Sequence, residues 1–238
     1  MKKFFLILLS LFILTSLFAQ EEESEVTEHI EEEKTETEAT PLSSYSADFI
    51  MQFEPGIYIN TQSPLVSAPS PIVYPISVGF IWPDAALLAI QPTLSFFMMQ
   101  HLYYEDMALP AEIENRTSTT LSFMLNIPAV YSIFLENSRF QITGGLGIFM
   151  RFGLLSPGVK EDDSGWSGSA GEDVTKINEY FWGNARWLYL TLGGSWLYDL
   201  TPELRAGPVM NISIPLGGLI SDQDAQGMLI SLGIKICR

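Results

Sequence analysis

Beyond about Tyr45 the chain carries few charges, and most of those inside strand-like stretches fall on one phase of a period-two alternation. They are Glu54, Arg139, Arg151, Glu203, Arg205 and Lys235, with the amide of Asn211 on the same phase. A period of two sets such residues on one face of a strand. Both signs are present, so the chemistry open to them is ion pairing and hydrogen bonding in an enclosed space, or the lining of a narrow path for a small solute. Catalysis is not indicated. His29 and His101 stand far apart, and no nucleophile motif, spaced carboxylate pair, phosphate loop or metal cluster is present. We therefore expect no catalytic residue, no cofactor and no metal site. One segment, "KEDDSGWSGSAGED", gathers Glu161, Asp162, Asp163, Glu172 and Asp173 around Gly and Ser. Carboxylate oxygens of this kind can hold a divalent cation, but EF-hand spacing is lacking, and a solvated acidic loop is the plainer reading.

The elements that must hold the charged residues are eight alternating runs: Ala47–Ile59, Ile72–Trp82, Leu87–His101, Thr117–Phe134, Arg139–Phe152, Arg186–Tyr198, Leu204–Ile214 and Gly227–Cys237. Most are longer than the five or six residues of an ordinary strand and approach the length of a tilted strand that crosses a bilayer. Their connections alternate strictly. "PDAA", "LENS" and "DLTPE" are tight turns, whereas "NTQSPLVSAPSP", "LYYEDMALPAEIENR", the Gly153–Ala185 stretch and "PLGGLISDQDAQ" are long. An up-and-down meander with these connections puts every tight turn at one end and every loop at the other. Two further strands within the Gly153–Ala185 loop, making ten, are an open alternative.

The two faces differ in kind. Between Arg139 and Phe152 one face is Phe140, Ile142, Leu146, Ile148, Met150 and Phe152; the other is Arg139, Gln141, Thr143, Gly145, Gly147 and Arg151. A soluble strand would carry many Lys and Glu on its second face. Here that face is polar but lightly charged, which suits a barrel interior, and the apolar face suits lipid. Inward Val73, Met99, Val130, Leu197 and Val209 would favour an apolar solute if a path exists. Aromatics gather at both run ends: Phe80, Trp82, Tyr131, Phe140, Trp196 and Tyr198 near the tight turns, and Tyr58, Tyr103, Tyr104, Phe152, Tyr180, Phe181, Trp182 and Trp187 near the loops. Two such girdles match the two interfaces of a membrane. Pro55, Pro75, Pro92, Pro128 and Pro208 fall inside runs, which implies local bulges or kinks.

The N-terminal segment differs in composition. Lys2 and Lys3 precede an uncharged apolar stretch closing on Ala19, the pattern of a secretory signal peptide cut after Ala19. Residues 20–44 are dominated by Glu with no aromatic, and read as a disordered acidic tail that accounts for much of the formal charge of −16. Residues 45–238 form one domain. No basic patch suits nucleic acid, and the lone Cys237 excludes an internal disulfide.

The runs, connections and girdles between Tyr45 and Arg238 resemble the small eight-stranded bacterial outer-membrane β-barrels of the OmpA, OmpX and OmpW kind. The resemblance is one of architecture and not of a residue motif. It implies an all-β, antiparallel, up-and-down transmembrane barrel in the bacterial outer membrane. Its partners would be outer-membrane lipids with lipopolysaccharide or an equivalent, and the barrel-insertion machinery, which reads a final aromatic residue where this chain has Arg238. The expected role is non-enzymatic, structural or at the cell surface, with small-solute passage through a narrow lumen as an extension. The alternative is a soluble periplasmic or secreted β-barrel that binds an apolar ligand inside. A barrel-embedded lipid hydrolase or acyltransferase is a more distant one.

Overall fold

The computed structural model describes residues 46–61, 65, 68, 70–111, 117–217 and 226–238. The expected signal peptide over residues 1–19 and the expected acidic tail over 20–44, with His29, lie outside the described residues.

Alternation of side chains between two unlike surroundings forces extended backbone, and extended backbone needs neighbours for its N–H and C=O groups. The chain meets both demands in twelve strand segments: β1 (Asp48–Phe53), β2 (Gly56–Tyr58), β3 (Ile72–Val73), β4 (Ile76–Ile81), β5 (Leu88–Ile90), β6 (Thr93–Tyr104), β7 (Met107–Pro110), β8 (Ser118–Leu135), β9 (Ser138–Leu155), β10 (Leu188–Thr201), β11 (Leu204–Pro215) and β12 (Leu229–Cys237). Three pairs, β1 with β2, β3 with β4 and β5 with β6, are single wall strands interrupted at Pro55, Pro75 and Pro92. The wall therefore has eight positions, each antiparallel to the next, and β1 and β2 close it against β12. At the seam Phe49 and Arg238 exchange backbone hydrogen bonds of 2.7 and 2.9 Å.

The prolines do not insert bulges. Ile50 faces Cys237 below Pro55 and Tyr58 faces Leu229 above it, in one unbroken register. The same holds across Pro75, from Phe53–Ile76 to Gly56–Val73, and across Pro92, from Ile90–Ala129 to Thr93–Asn126. Pro128 and Pro208 pair with Gly145 and Ile234 inside continuous ladders. Each proline withholds a donor but keeps its carbonyl in use: the Pro55, Pro75 and Pro92 oxygens accept from Leu232, Glu54 and Phe80 at 3.0, 3.1 and 3.2 Å. A missing donor costs a ladder bond and not a residue of register, so the sheet stays in phase. The register shift that does occur lies elsewhere, between Asp199 and Thr201.

Tight connections between β4 and β5, β8 and β9, and β10 and β11 share one end with Asp48 and Cys237; the long loops share the other. Two loop-end elements differ from the sequence expectation. Strand β6 continues past His101 and turns at Glu105 and Asp106, both at positive φ, into the β6–β7 hairpin. The 153–185 segment holds no further barrel strands. After β9 it forms helix α1 (Ala170–Trp182), capped by Ser169, whose Oγ accepts from the Glu172 N–H at 3.2 Å.

Outward residues of the wall are large and apolar, among them Phe49, Met51, Phe53, Phe80, Leu94, Met98, Ile127, Ile142, Leu146, Leu192, Met210, Leu232 and Ile234. So continuous an exposed apolar band suits hydrocarbon and not water. Inward residues are mostly Ser, Thr, Gln, Asn and Gly.

The seam is closely packed at Gly233. A Cβ on Gly233 would run into the Phe53 carbonyl, whereas one on Gly144 would meet only the Leu192 side chain, at 3.5 Å. Gly233→Val should abolish the compact band of the refolded protein on an unheated denaturing gel, and Gly144→Val should keep it.

Candidate functional site: the sealed lumen and its cap

The interior is filled in three tiers. At the tight-turn end, the turn after β4 folds Asp84 under the barrel mouth. Arg139 of β9 donates to the Asp84 carboxylate at 2.6 Å and to its carbonyl at 2.9 Å. Arg205 of β11 donates to Asp84 at 2.8 Å and to Asp48 of β1. Two arginines and two carboxylates thus close this end, and the Arg139 guanidinium also lies 4.6 Å from the Phe134 ring centroid. Pairing of this kind is what permits charges to leave water.

The middle tier is polar. Lys235 of β12 is buried and donates to the side-chain oxygens of Gln91 at 2.5 Å and Gln141 at 2.7 Å. Gln141 in turn donates to Ser132 at 3.2 Å, which fixes which way its amide points. Above it the Glu54 carboxylate accepts from Asn211 at 2.6 Å and from Ser231 at 3.4 Å. Thr191 donates to Asn126 at 2.9 Å. Gly147 and Gly193 face these amides at positions where a Cβ would collide with the oxygens of Asn126 and Asn211. Among the described residues this tier leaves a cavity of about 30 Å³ lined by Glu54, Gln91, Asn126, Thr143, Asn211 and Ser231 among others, room for one or two waters and no larger solute.

The loop-end tier is apolar. Tyr58, Val73, Phe97, Met99, Met124, Phe149, Tyr189 and Leu229 pack into a plug across the bore. Arg151 rises through it, donating to the Tyr58 hydroxyl at 2.8 Å and to the Arg186 carbonyl at 3.1 Å. Its guanidinium lies 4.5 Å from the Phe149 centroid on the barrel side and 4.1 Å from the Phe181 centroid on the helix side. Desolvated cation–π pairs of this kind are worth roughly 2 kcal/mol each.

Helix α1 is the lid. Ala170, Asp173, Ile177 and Phe181 recur at spacings of three and four and form its buried face. Ile177 and Phe181 pack on Ala108 of β7, with Tyr103 alongside. Asn178 and Gly153 of β9 exchange hydrogen bonds of 2.8 and 3.1 Å, so a side-chain amide completes a strand edge above β10. The acidic loop before the helix is organised by a carboxylate of the helix's first turn. Buried Asp173 accepts from the N–H groups of Trp166 and Ser167 at 2.8 and 2.7 Å, and from the Ser167 hydroxyl at 2.7 Å. Arg186 covers the Tyr180 ring at 3.9 Å. Burial holds the Tyr180 hydroxyl above the ordinary phenol range, so it stays neutral at physiological pH.

Glu54, Arg139, Arg151, Arg205, Asn211 and Lys235 thus lie in the lumen, in three tiers and not in one cluster. Glu203 does not: it is exposed at the tip of the β10–β11 turn, where the wall has ended and strand parity no longer assigns a face. Its place as a lumenal carboxylate is taken by Asp48 and Asp84. Asp48 shares the phase of Glu54 and was readable on that basis; Asp84 sits in a turn, which has no phase to read. Among the aromatics, Trp82, Tyr131, Trp196 and Tyr198 are exposed near the tight turns, with Trp196 and Tyr198 stacked at 5.8 Å. Trp182 is exposed and packs on Phe152 at 5.7 Å. Trp187 is half-buried where the loop enters β10. Tyr103 and Tyr104 belong to the β6–β7 hairpin and are half-buried against the lid and against Trp166. Tyr58 and Phe181 lie inside, in the plug and under the lid, and not in a girdle.

No known protein family matches the sequence. No curated protein matches it either. Among solved structures, the chain is similar to Neisserial surface protein A, with 8% identity over 80% of this chain and 95% of that one and a TM-score of 0.46. It is similar to Ail, the attachment invasion locus protein of Yersinia pestis, with 8% identity, the same coverage and a TM-score of 0.44. It is also similar to the N-terminal β-barrel domain of Pseudomonas aeruginosa OprF, with 10% identity over 81% and 97% and a TM-score of 0.37.

Asp84 is the joint of the turn-end tier, bound by both arginines. Asp84→Asn should lower stability by about 3 kcal/mol, the scale for removing one partner of a buried pair. Glu203→Gln should change nothing, and urea unfolding from vesicles would compare them.

Proposed function

We propose that the protein is a non-enzymatic barrel of a bacterial outer membrane, with its tight turns toward the periplasm and its capped loops at the cell surface. Its work is done by the wall and the lid, and not by passage of solutes. The observation that carries this reading is the filling of the bore: an arginine–carboxylate tier at one end, an aromatic plug under α1 at the other, and a cavity of about 30 Å³ between them. Eight strands leave a bore that side chains can fill. The apolar band and its aromatic edges favour membrane lipid, with lipopolysaccharide or an equivalent outside, as the first partner. Insertion machinery is the second, met during assembly. A soluble barrel holding an apolar ligand would need its apolar face inward, and this chain turns that face out.

Refolded into vesicles, the protein should leave them no leakier to small sugars and ions than protein-free vesicles. Solute flux above that background would overturn the closed-lumen reading. A protein that stayed folded and monodisperse in plain buffer would overturn the membrane reading itself.

A further inference from the structure

Strand edges in lipid must be paired, because hydrocarbon offers no partner for N–H or C=O. Above the start of β10, the free edge of β9 is met by protein: Phe149 donates to the Trp187 carbonyl at 2.7 Å, and Asn178 serves Gly153. Between β3 and β6 the wall is different. The β4–β6 ladder runs from Gly79–Thr93 to Ile76–Phe96 and stops. Continued by two places, that register would set Tyr74 against Met98 and Ile72 against Gln100. Among the described residues no hydrogen bond joins them.

Alternation identifies the groups left over. Tyr58 and Glu54 donate to the Pro71 and Pro75 carbonyls, so residues 71, 73 and 75 face the β1–β2 strand, and Ile72 and Tyr74 turn their backbone groups toward β6. On the other side, Trp82 and Ile90 exchange bonds and Phe80 donates to Pro92, so the even-numbered residues of the β5–β6 strand face β4 and then β3. The Gln100 carbonyl is taken by Ala111 at 3.0 Å. Among the described residues there remain the N–H groups of Ile72, Tyr74, Met98 and Gln100, and the carbonyls of Ile72, Tyr74 and Met98. They border a cleft of about 330 Å³ lined by Pro71, Ile72, Val73, Met98, Gln100 and Thr119 among others. Among the described residues no charged side chain lines it. Its mouth lies on the lipid side, where Ile72, Tyr74 and Met98 are 58%, 59% and 56% exposed.

The occupant must be amphipathic, must offer both acceptors and donors, and must bring no net charge to an uncharged lining. We propose that this breach selects one zwitterionic phospholipid with a primary ammonium headgroup over the lipopolysaccharide around it, whose phosphates an uncharged lining cannot neutralise. Its phosphate and ester oxygens accept from the four N–H groups, its ammonium donates to the carbonyls, and an acyl chain lies along Ile72, Tyr74 and Met98. Tyr74 at the mouth is the side chain that favours headgroup depth. The site rests on the membrane reading above.

The test uses the full chain refolded into vesicles of equal phosphatidylethanolamine and phosphatidylcholine, released into non-ionic detergent and weighed by native mass spectrometry. A heat-sensitive compact band on a gel first establishes the inserted barrel; its loss would count against the membrane reading and not against the site. One phosphatidylethanolamine per chain should be retained, favoured about tenfold over phosphatidylcholine, whose quaternary ammonium cannot donate. Met98→Trp and Ile72→Trp, which fill the cleft from either side, should keep the band and lose the lipid. Release without bound lipid, equal retention of the two lipids, or retention by both tryptophan variants would each overturn the proposal.

Discussion

A backbone hydrogen bond has no substitute partner in hydrocarbon, and most of this architecture follows from that single constraint. An open sheet of these strands would present two bare edges to lipid, so the chain must return to its start. It does so where β12 meets β1 and β2, across a seam whose register survives the proline in the middle of it. The prolines are affordable because each withholds one donor and leaves its carbonyl bonded. A bulge at any of them would have moved every later side chain of that strand to the wrong face.

Closure creates the second demand. A wall that is apolar outside leaves its polar alternates facing one another in a narrow space, where each needs a partner. The three tiers are three solutions. At the tight-turn end charges neutralise each other. In the middle, amides and hydroxyls solvate Lys235 and Glu54 without a direct ion pair between them. At the loop end the interior becomes aromatic, and a single arginine crosses it by lying between two rings. Glycine at 147 and 193 is part of the middle solution, since it gives Asn126 and Asn211 their room.

The wall was legible in the sequence because two media, lipid outside and polar filling inside, imprint the same period of two from Asp48 to Cys237. The alternation of tight and long connections came with it. Parity also found the inward cations, because it acts on every strand residue alike. It failed where the strand stopped: Glu203 lies beyond the last paired residue and Asp84 lies in a turn. Helix α1 was written locally, in Ser169 followed three places on by Glu172 and in the spacing of Ala170, Ile177 and Phe181. The dense Gly, Ser and Asp before it read as loop and masked that signal. The breach between β3 and β6 has no sequence signature, because Ile72 and Met98 alternate there as they would in a closed wall.

The lid is fastened by residues rooted in the barrel. Arg151 and Gly153 belong to β9, and the groups that grip them, Phe181 and Asn178, belong to the helix. The outward side of α1 and the hairpin beside it are therefore held in place before anything arrives. A surface of this kind gives up little conformational entropy on association, so less of what its contacts contribute is lost to ordering. It is also unforgiving: a rigid face accepts the shape it fits and does not remodel itself around another.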